Sequence, residues 1–119
     1  MNARALLPIE KTARLVARAL GCTPEDLAAG LRPARPDELP AVLALRRQVI
    51  GAELTWDDEA YLRWRYQFGG EGQGLATCWV CVVGERLLGM IGIEPLRLQA
   101  GEHTCDAHVT MDIMVCPEL

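Results

Sequence analysis

Hydrophobic residues recur every three or four positions in four stretches of the chain, a spacing that is typical of helices packed on a core. The predicted helices cover residues 8–20, 24–29, 37–50 and 58–68. Arg46 is the one departure from the apolar face of the third helix. Tyr61, Trp64 and Phe68 form a stripe on the fourth helix, which predicts that its aromatic side chains belong to the core.

The second half of the chain changes to strand-like runs that are bounded by turn residues. One extended segment is predicted at residues 31–35, and three strands at residues 77–83, 87–99 and 105–115. Tight turns at residues 84–86 and 100–102 predict that the last three strands pair as antiparallel hairpins. The order strand, helix, helix, three antiparallel strands predicts an α+β fold of the α/β sandwich type. Residues 1–30 are predicted as an N-terminal helical extension, and residues 31–119 as the main domain.

Composition narrows the class of protein. Half of the 119 residues are hydrophobic and the formal net charge is −4, which is ordinary for a globular domain and gives no general attraction to nucleic acid. No apolar run reaches the roughly 20 residues that a membrane span needs. The N-terminus also lacks the continuous apolar region of a signal peptide. We therefore expect a cytoplasmic protein with reduced thiols, no membrane span and no nucleic-acid partner.

Three stretches, in this order, resemble the GNAT N-acetyltransferase superfamily. Residues 31–40 (LRPARPDELP) resemble its opening strand and helix. Residues 82–92 (VVGERLLGMIG) resemble its second and third strands joined by a hairpin, and residues 112–118 (DIMVCPE) resemble its fourth strand and the turn that follows. The resemblance covers about three quarters of the chain and does not include residues 1–30.

The resemblance implies transfer of an acetyl group from acetyl-coenzyme A to a small-molecule or peptide amine. The backbone groups of Ile113, Met114 and Val115 would then hydrogen-bond the amides of the pantetheine arm of the coenzyme. In the family, a basic, glycine-rich loop that binds the pyrophosphate follows this strand. The printed sequence stops before such a loop. It is therefore expected to be the N-terminal half of the fold, or a truncated form with incomplete coenzyme binding.

Two titratable residues on the last strand are candidates for the proton transfer that amine acylation requires. Asp112 is a lone acid in an apolar strand, and His108 lies on the same nominal face and has a suitable ordinary pKa. The family often places its base at positions that here carry Val109 and Met111, neither of which titrates. A side-chain base on this strand therefore needs a bulge that changes the facing of the residues, or its role falls to water.

The segment between the third and fourth helices forms part of the acceptor pocket in the resembling family. Here it contains Trp56, Asp57 and Asp58, an acidic and aromatic group that suits a cationic amine. The same residues also read as a helix-capping signal with a packed tryptophan. Both interpretations are kept at this point.

The cysteines raise the alternative of a zinc site, because Cys78 and Cys81 have C-x-x-C spacing. Zinc-binding pairs of this kind usually lie on a turn that aims both sulfurs at the metal. A strand instead sends side chains three positions apart to opposite faces. No metal site is predicted, and packed, reduced cysteines are expected.

A non-catalytic interpretation is the main alternative to the enzyme. In it, the chain is an α+β domain that binds a protein partner, or a second copy, through the exposed edge of its last strand. An unpaired strand edge offers a row of hydrogen-bonding groups to another chain. The sequence therefore also predicts a possible homodimer through this strand.

Overall fold

A computed structural model describes residues 7–51, 58–68 and 74–117. Its helices are α1 (Leu7–Leu20), α2 (Pro24–Gly30), α3 (Leu39–Ile50, preceded by a 3₁₀ turn at Pro36–Glu38) and α4 (Glu59–Arg65). Its strands are β1 (Leu31–Pro33), β2 (Tyr66–Gln67), β3 (Ala76–Val83), β4 (Arg86–Ala100) and β5 (His103–Val115). Helices and strands form one mixed structure around an open, mainly antiparallel sheet, which confirms the α+β class.

The sheet has the order β1-β3-β4-β5, with neighbouring strands antiparallel. The two-residue β2 pairs in parallel with the start of β3, where Tyr66 lies opposite Ala76. β5 is therefore an edge strand, and among the described residues nothing pairs with its outer side. The predicted strand boundaries agree with the structure to within a few residues, but β2 was not predicted.

Helices α3 and α4 cover one face of the sheet and form the core with it. The buried side chains of this core include Leu39, Val42, Leu62, Val80 and Met90. α2 lies on the other face, where the Cys81 Sγ donates a weak hydrogen bond of 3.7 Å to the carbonyl of Leu27. α1 packs on α2. None of the described helices is both long and apolar enough to cross a membrane.

The prediction that the fourth helix reaches Phe68 was wrong. α4 ends at Arg65, because Tyr66 takes extended dihedral angles (φ −117°, ψ 151°) and begins β2. The change of conformation buries Tyr66 and Phe68 together, whereas Trp64 is 58% exposed. Trp64 is thus not a core residue, and the aromatic stripe is split between α4 and Phe68, which follows β2.

The N-terminal extension is joined to the sheet by close backbone contact. A methyl group added at Gly30 would lie only 2.2 Å from the carbonyl oxygen of Val82. The start of α2 is fixed by a capping box between Thr23 and Asp26, as its sequence predicts. α2 therefore packs directly on the sheet in this structure.

Candidate functional site

A β-bulge interrupts the pairing of β4 with β5 near the end of β5. Met114 lies opposite Met90, and Met111 lies opposite Gly92, so that Asp112 and Ile113 together face a single residue of β4. Asp112 has a φ of 51°, which makes it the one non-glycine residue with positive φ in the part of the chain that the structure describes. Asp tolerates this left-handed conformation better than most residues, so the bulge is compatible with the local sequence.

The bulge changes which face of the sheet each residue occupies. Gly92 faces the ring of Tyr66 on the helical side, and its partner Met111 shares that side. His108 is three residues earlier and therefore points to the opposite side, where it is exposed. Asp112 points to the helical side because the bulge adds a residue. The expectation that His108 and Asp112 share a face was wrong for this reason.

Three donors from the helical side converge on one carboxylate oxygen of Asp112. The Nε of Arg65, at the end of α4, donates a hydrogen bond of 3.0 Å to Oδ2. The hydroxyl of Tyr66 donates to the same oxygen. The Nη1 of Arg46, on α3, forms an ion pair with it at 3.6 Å. The carboxylate therefore ties the bulge of the edge strand to both helices of the core.

The environment keeps Asp112 ionised. Burial by itself would raise the pKa of Asp112, but the hydrogen bonds from Tyr66 and Arg65 and the positive charges of Arg46 and Arg65 outweigh it and lower that pKa below 3.8. A base with a lowered pKa accepts a proton less readily at neutral pH. The structure thus gives Asp112 a strong ionic role, and its catalytic role stays a prediction.

Tyr66 is held as a hydrogen-bond donor. Burial, together with the hydrogen bond to the carboxylate of Asp112, raises the pKa of the Tyr66 phenol above its usual value of 10.0. The phenol therefore stays protonated at neutral pH. Only 1% of Tyr66 is exposed, and the guanidinium of Arg65 lies 5.6 Å from the centre of its ring.

The three residues predicted to contact the coenzyme differ in the exposure of their side chains and in the direction of their backbone groups. Ile113 and Val115 are 65% and 56% exposed, whereas Met114 is buried. The N–H of Cys116 donates a hydrogen bond of 2.7 Å to the carbonyl of Leu88 on β4. Because backbone groups alternate in direction along a strand, Met114 also turns its N–H and C=O toward β4, and Val115 turns them outward. The outer edge of β5 thus offers the backbone N–H and C=O of Val115, whereas Ile113 lies in the bulge, where the regular alternation is interrupted.

The predicted acceptor segment is only partly within the described residues. Trp56 and Asp57 lie outside them. Asp58 is the N-cap of α4, and its Oδ1 accepts a hydrogen bond of 2.9 Å from the N–H of Tyr61. Capping therefore accounts for Asp58, and its role in acceptor binding stays a prediction.

The cysteines lie apart in the sheet. Cys78 is fully buried on the helical side, whereas Cys81 points to the side covered by α2. Burial raises the pKa of the Cys78 thiol to about 12. Among the described residues, no three histidine, cysteine or acidic side chains lie close enough to bind a metal ion.

Sequence reasoning did not find the partners of Asp112. Arg46 gave a signal, since it is a charged residue on an otherwise apolar helix face, and a buried charge needs a partner. Its side chain is 2% exposed. Arg65 and Tyr66 gave none, because the end of α4 was predicted three residues too late.

No protein-family model matches the chain, and neither a curated protein nor a solved structure matches it.

Proposed function

We propose that this chain is part or all of a GNAT-type N-acyltransferase domain, which transfers an acetyl group from acetyl-coenzyme A to an amine. The observation that carries the proposal is the outer edge of β5 beside the bulge. There the backbone groups of Val115 face outward, and the side chains of Ile113 and Val115 are exposed. The pantetheine arm carries amides that can pair with a strand edge as a peptide does.

The reaction forms a bond between the acceptor nitrogen and the thioester carbonyl carbon and breaks the carbon–sulfur bond. The thiolate leaves and is protonated, while the nitrogen loses one proton to a base. A water molecule is the base that we favour, because the carboxylate of Asp112 is bound by Arg65 and Tyr66 and its pKa is lowered. In this proposal Asp112 fixes the bulge and does not itself accept the proton.

The test measures release of the coenzyme A thiol from acetyl-coenzyme A by the full open reading frame that contains these residues. A panel of primary amines and peptide N-termini serves as acceptors. Val115→Pro removes an outward N–H without removing a hydrogen bond to β4, and proline is tolerated on an edge strand. Val115→Thr keeps that N–H and is the matched control. Acceptor-dependent thiol release that is lost in V115P and kept in V115T supports the proposal.

The non-catalytic alternative is favoured by one specific observation. Arg46 and Arg65, the two arginines beside the bulge, both form ion pairs with the carboxylate of Asp112. In that alternative, the edge of β5 binds a peptide strand of another protein and no acetyl transfer occurs. Absence of thiol release with every acceptor, together with folded protein by circular dichroism, would reject the enzyme and leave this alternative.

A further inference from the structure

The N-terminal extension contacts the sheet around Leu27, in the middle of α2. The Sγ of Cys81, on β3, donates its weak hydrogen bond of 3.7 Å to the carbonyl of Leu27. One helical turn later, Gly30 comes into close backbone contact with Val82. Cys81 therefore lies directly beneath α2, on the side of β3 that faces the extension.

A second cysteine, Cys22, occupies the turn between α1 and α2. The N–H of Gly21 donates a hydrogen bond of 3.3 Å to the carbonyl of Arg18, and Gly21 has a φ of 70°. The N–H of Cys22 donates a hydrogen bond of 2.9 Å to the carbonyl of Ala17. These two bonds form the Schellman motif that ends α1. Because Thr23, the next residue, is the N-cap of α2, the backbone of Cys22 is fixed by both helices.

The start of α2 directs Cys22 toward the residue that Cys81 contacts. In a capped helix, the residue before the N-cap often packs on the fourth helical residue, an arrangement called the hydrophobic staple. In α2 these two positions are Cys22 and Leu27. Both side chains are half-buried, whereas Glu25 and Asp26 between them are exposed. Cys22 and Cys81 thus approach Leu27 from two sides.

The two thiols also act on each other electrostatically. Burial is the main cause that raises the pKa of the Cys81 thiol above its ordinary value, and a charge on Cys22 raises it further. Such repulsion acts at short range. Cys22 and Cys81 are therefore neighbours in the fold, although they are far apart in the sequence, and both are free thiols in this structure.

We propose that Cys22 and Cys81 form a reversible disulfide when the protein meets a low-molecular-weight disulfide, and that this bond attaches the N-terminal extension covalently to the sheet. Its formation does not depend on the proposed acyltransferase activity. The bond closes a loop over residues 22–81, about half of the chain. Closing a loop of this length restricts the unfolded chain, so oxidation stabilises the packing of α2 on β3.

The disulfide forms by two exchange steps. The thiolate of Cys22 attacks first, because Cys81 lies beneath α2; the S–S bond of the oxidant breaks, and one thiol leaves after it takes up a proton. The thiolate of Cys81 then attacks the Sγ of Cys22 in the mixed disulfide and releases the second thiol. In sum, the protein loses two electrons and two protons, and the oxidant gains them.

The experiment incubates the full chain with glutathione at rising ratios of the oxidised to the reduced form and maps the disulfides by mass spectrometry. Chymotrypsin is the protease of choice, because cleavage after Trp79 separates Cys78 from Cys81. The wild type should give a peptide pair that joins Cys22 to Cys81, and the pair should disappear when reduced glutathione is in excess. Cys105→Ser, which removes an exposed thiol, is the matched control and should keep this pair.

Two further variants test the order of the steps. Cys81→Ser should stop at the mixed disulfide and carry one glutathione on Cys22. Cys22→Ser should form no disulfide at Cys81. Wild type that carries glutathione on Cys22 without the link to Cys81 would overturn the proposal. A link from either cysteine to Cys78, or between two copies of the chain, would overturn it as well.

Hydrogen exchange measures the effect on α2. The N–H of Leu27 donates a hydrogen bond of 3.2 Å to the carbonyl of Thr23. Its exchange with deuterium should slow by at least about tenfold when the wild type is oxidised. The oxidant should leave this rate unchanged in Cys22→Ser. A disulfide that forms without slowing the exchange would contradict the inference that the bond stabilises the packing of the extension on the sheet.

Discussion

Replacing Asp112 with asparagine removes one negative charge from the cluster that joins β5 to the helices, and it keeps the shape of the side chain. Asparagine also tolerates the positive φ of this position. The change replaces the anionic acceptor of the hydrogen bonds from Arg65 and Tyr66 with a neutral amide oxygen, at a cost of about 1 kcal/mol each. It also removes the negative charge that faces the buried guanidinium of Arg46 at 3.6 Å, and loss of one partner from a buried ion pair adds to the cost. We expect the free energy of unfolding to fall by at least about 2 kcal/mol.

The same substitution has a defined pH dependence. The pKa of Asp112 is lower in the folded state than its ordinary value of 3.8, so its charge stabilises the fold above that pH. The stabilisation is lost as the pH falls below 3.8 through the folded-state pKa. The difference in unfolding free energy between wild type and Asp112→Asn should therefore be constant near neutral pH and shrink in acid.

The assay is urea denaturation followed by tryptophan fluorescence at pH 7 and in acid. Asp106→Asn is the matched control, since it is the same change on the same strand in an acid that also pairs with an arginine. Because that pair is exposed, the control should leave stability unchanged. Equal losses in the two variants, or a loss in Asp112→Asn that does not depend on pH, would refute the reasoning about the cluster.

Three other predictions concern the packing of the domain. Gly30→Ala should destabilise the fold by more than about 1 kcal/mol in urea denaturation, because the added methyl group would collide with a backbone carbonyl of β3. An unchanged urea midpoint would contradict the close packing of α2 on the sheet. The hydrogen bond from Arg32 lowers the pKa of Glu38 to about 2, so the ionised Glu38 stabilises the fold above pH 4.5 and this stabilisation is lost toward pH 2. Glu38→Gln should therefore lower the free energy of unfolding by about 1–2 kcal/mol above pH 4.5. Equal acid sensitivity of the wild type and the variant would contradict this prediction. Under native conditions Ellman's reagent should modify Cys105 rapidly and Cys78 only on unfolding, and early modification of Cys78 would contradict its burial.

Local signals were sufficient for most elements. The start of α2 was predicted because the Thr23 and Asp26 side chains cap the helix by contacts within four residues. The hairpin turn at residues 100–102 was predicted because glycine is a typical turn residue, and Gly101 has the positive φ that favours glycine. Such features depend on neighbours in the sequence, and so the sequence alone contains the information.

Features that depend on distant contacts were missed. Tyr66 leaves the helix because pairing with β3 and packing in the core outweigh its helical periodicity. A bulge in the last strand was named only as something that a side-chain base there would require. Its position at Asp112 was not predicted, because the partners of the Asp112 carboxylate, Arg46 and Arg65, are far away in the chain. The pattern also assigned His108 the wrong face, since one extra residue reverses the alternation of a strand.

The most direct test of the central claim is to follow the backbone amides by ¹H–¹⁵N NMR while acetyl-coenzyme A is added to the full reading frame. The proposal predicts saturable shifts at Ile113 and Val115, near the end of β5, and none at Gln99 or Thr104, which pair beside the turn between β4 and β5. Shifts absent from Ile113 and Val115 at saturating coenzyme, or confined to other parts of the sheet, would contradict the assignment of this edge as the coenzyme site.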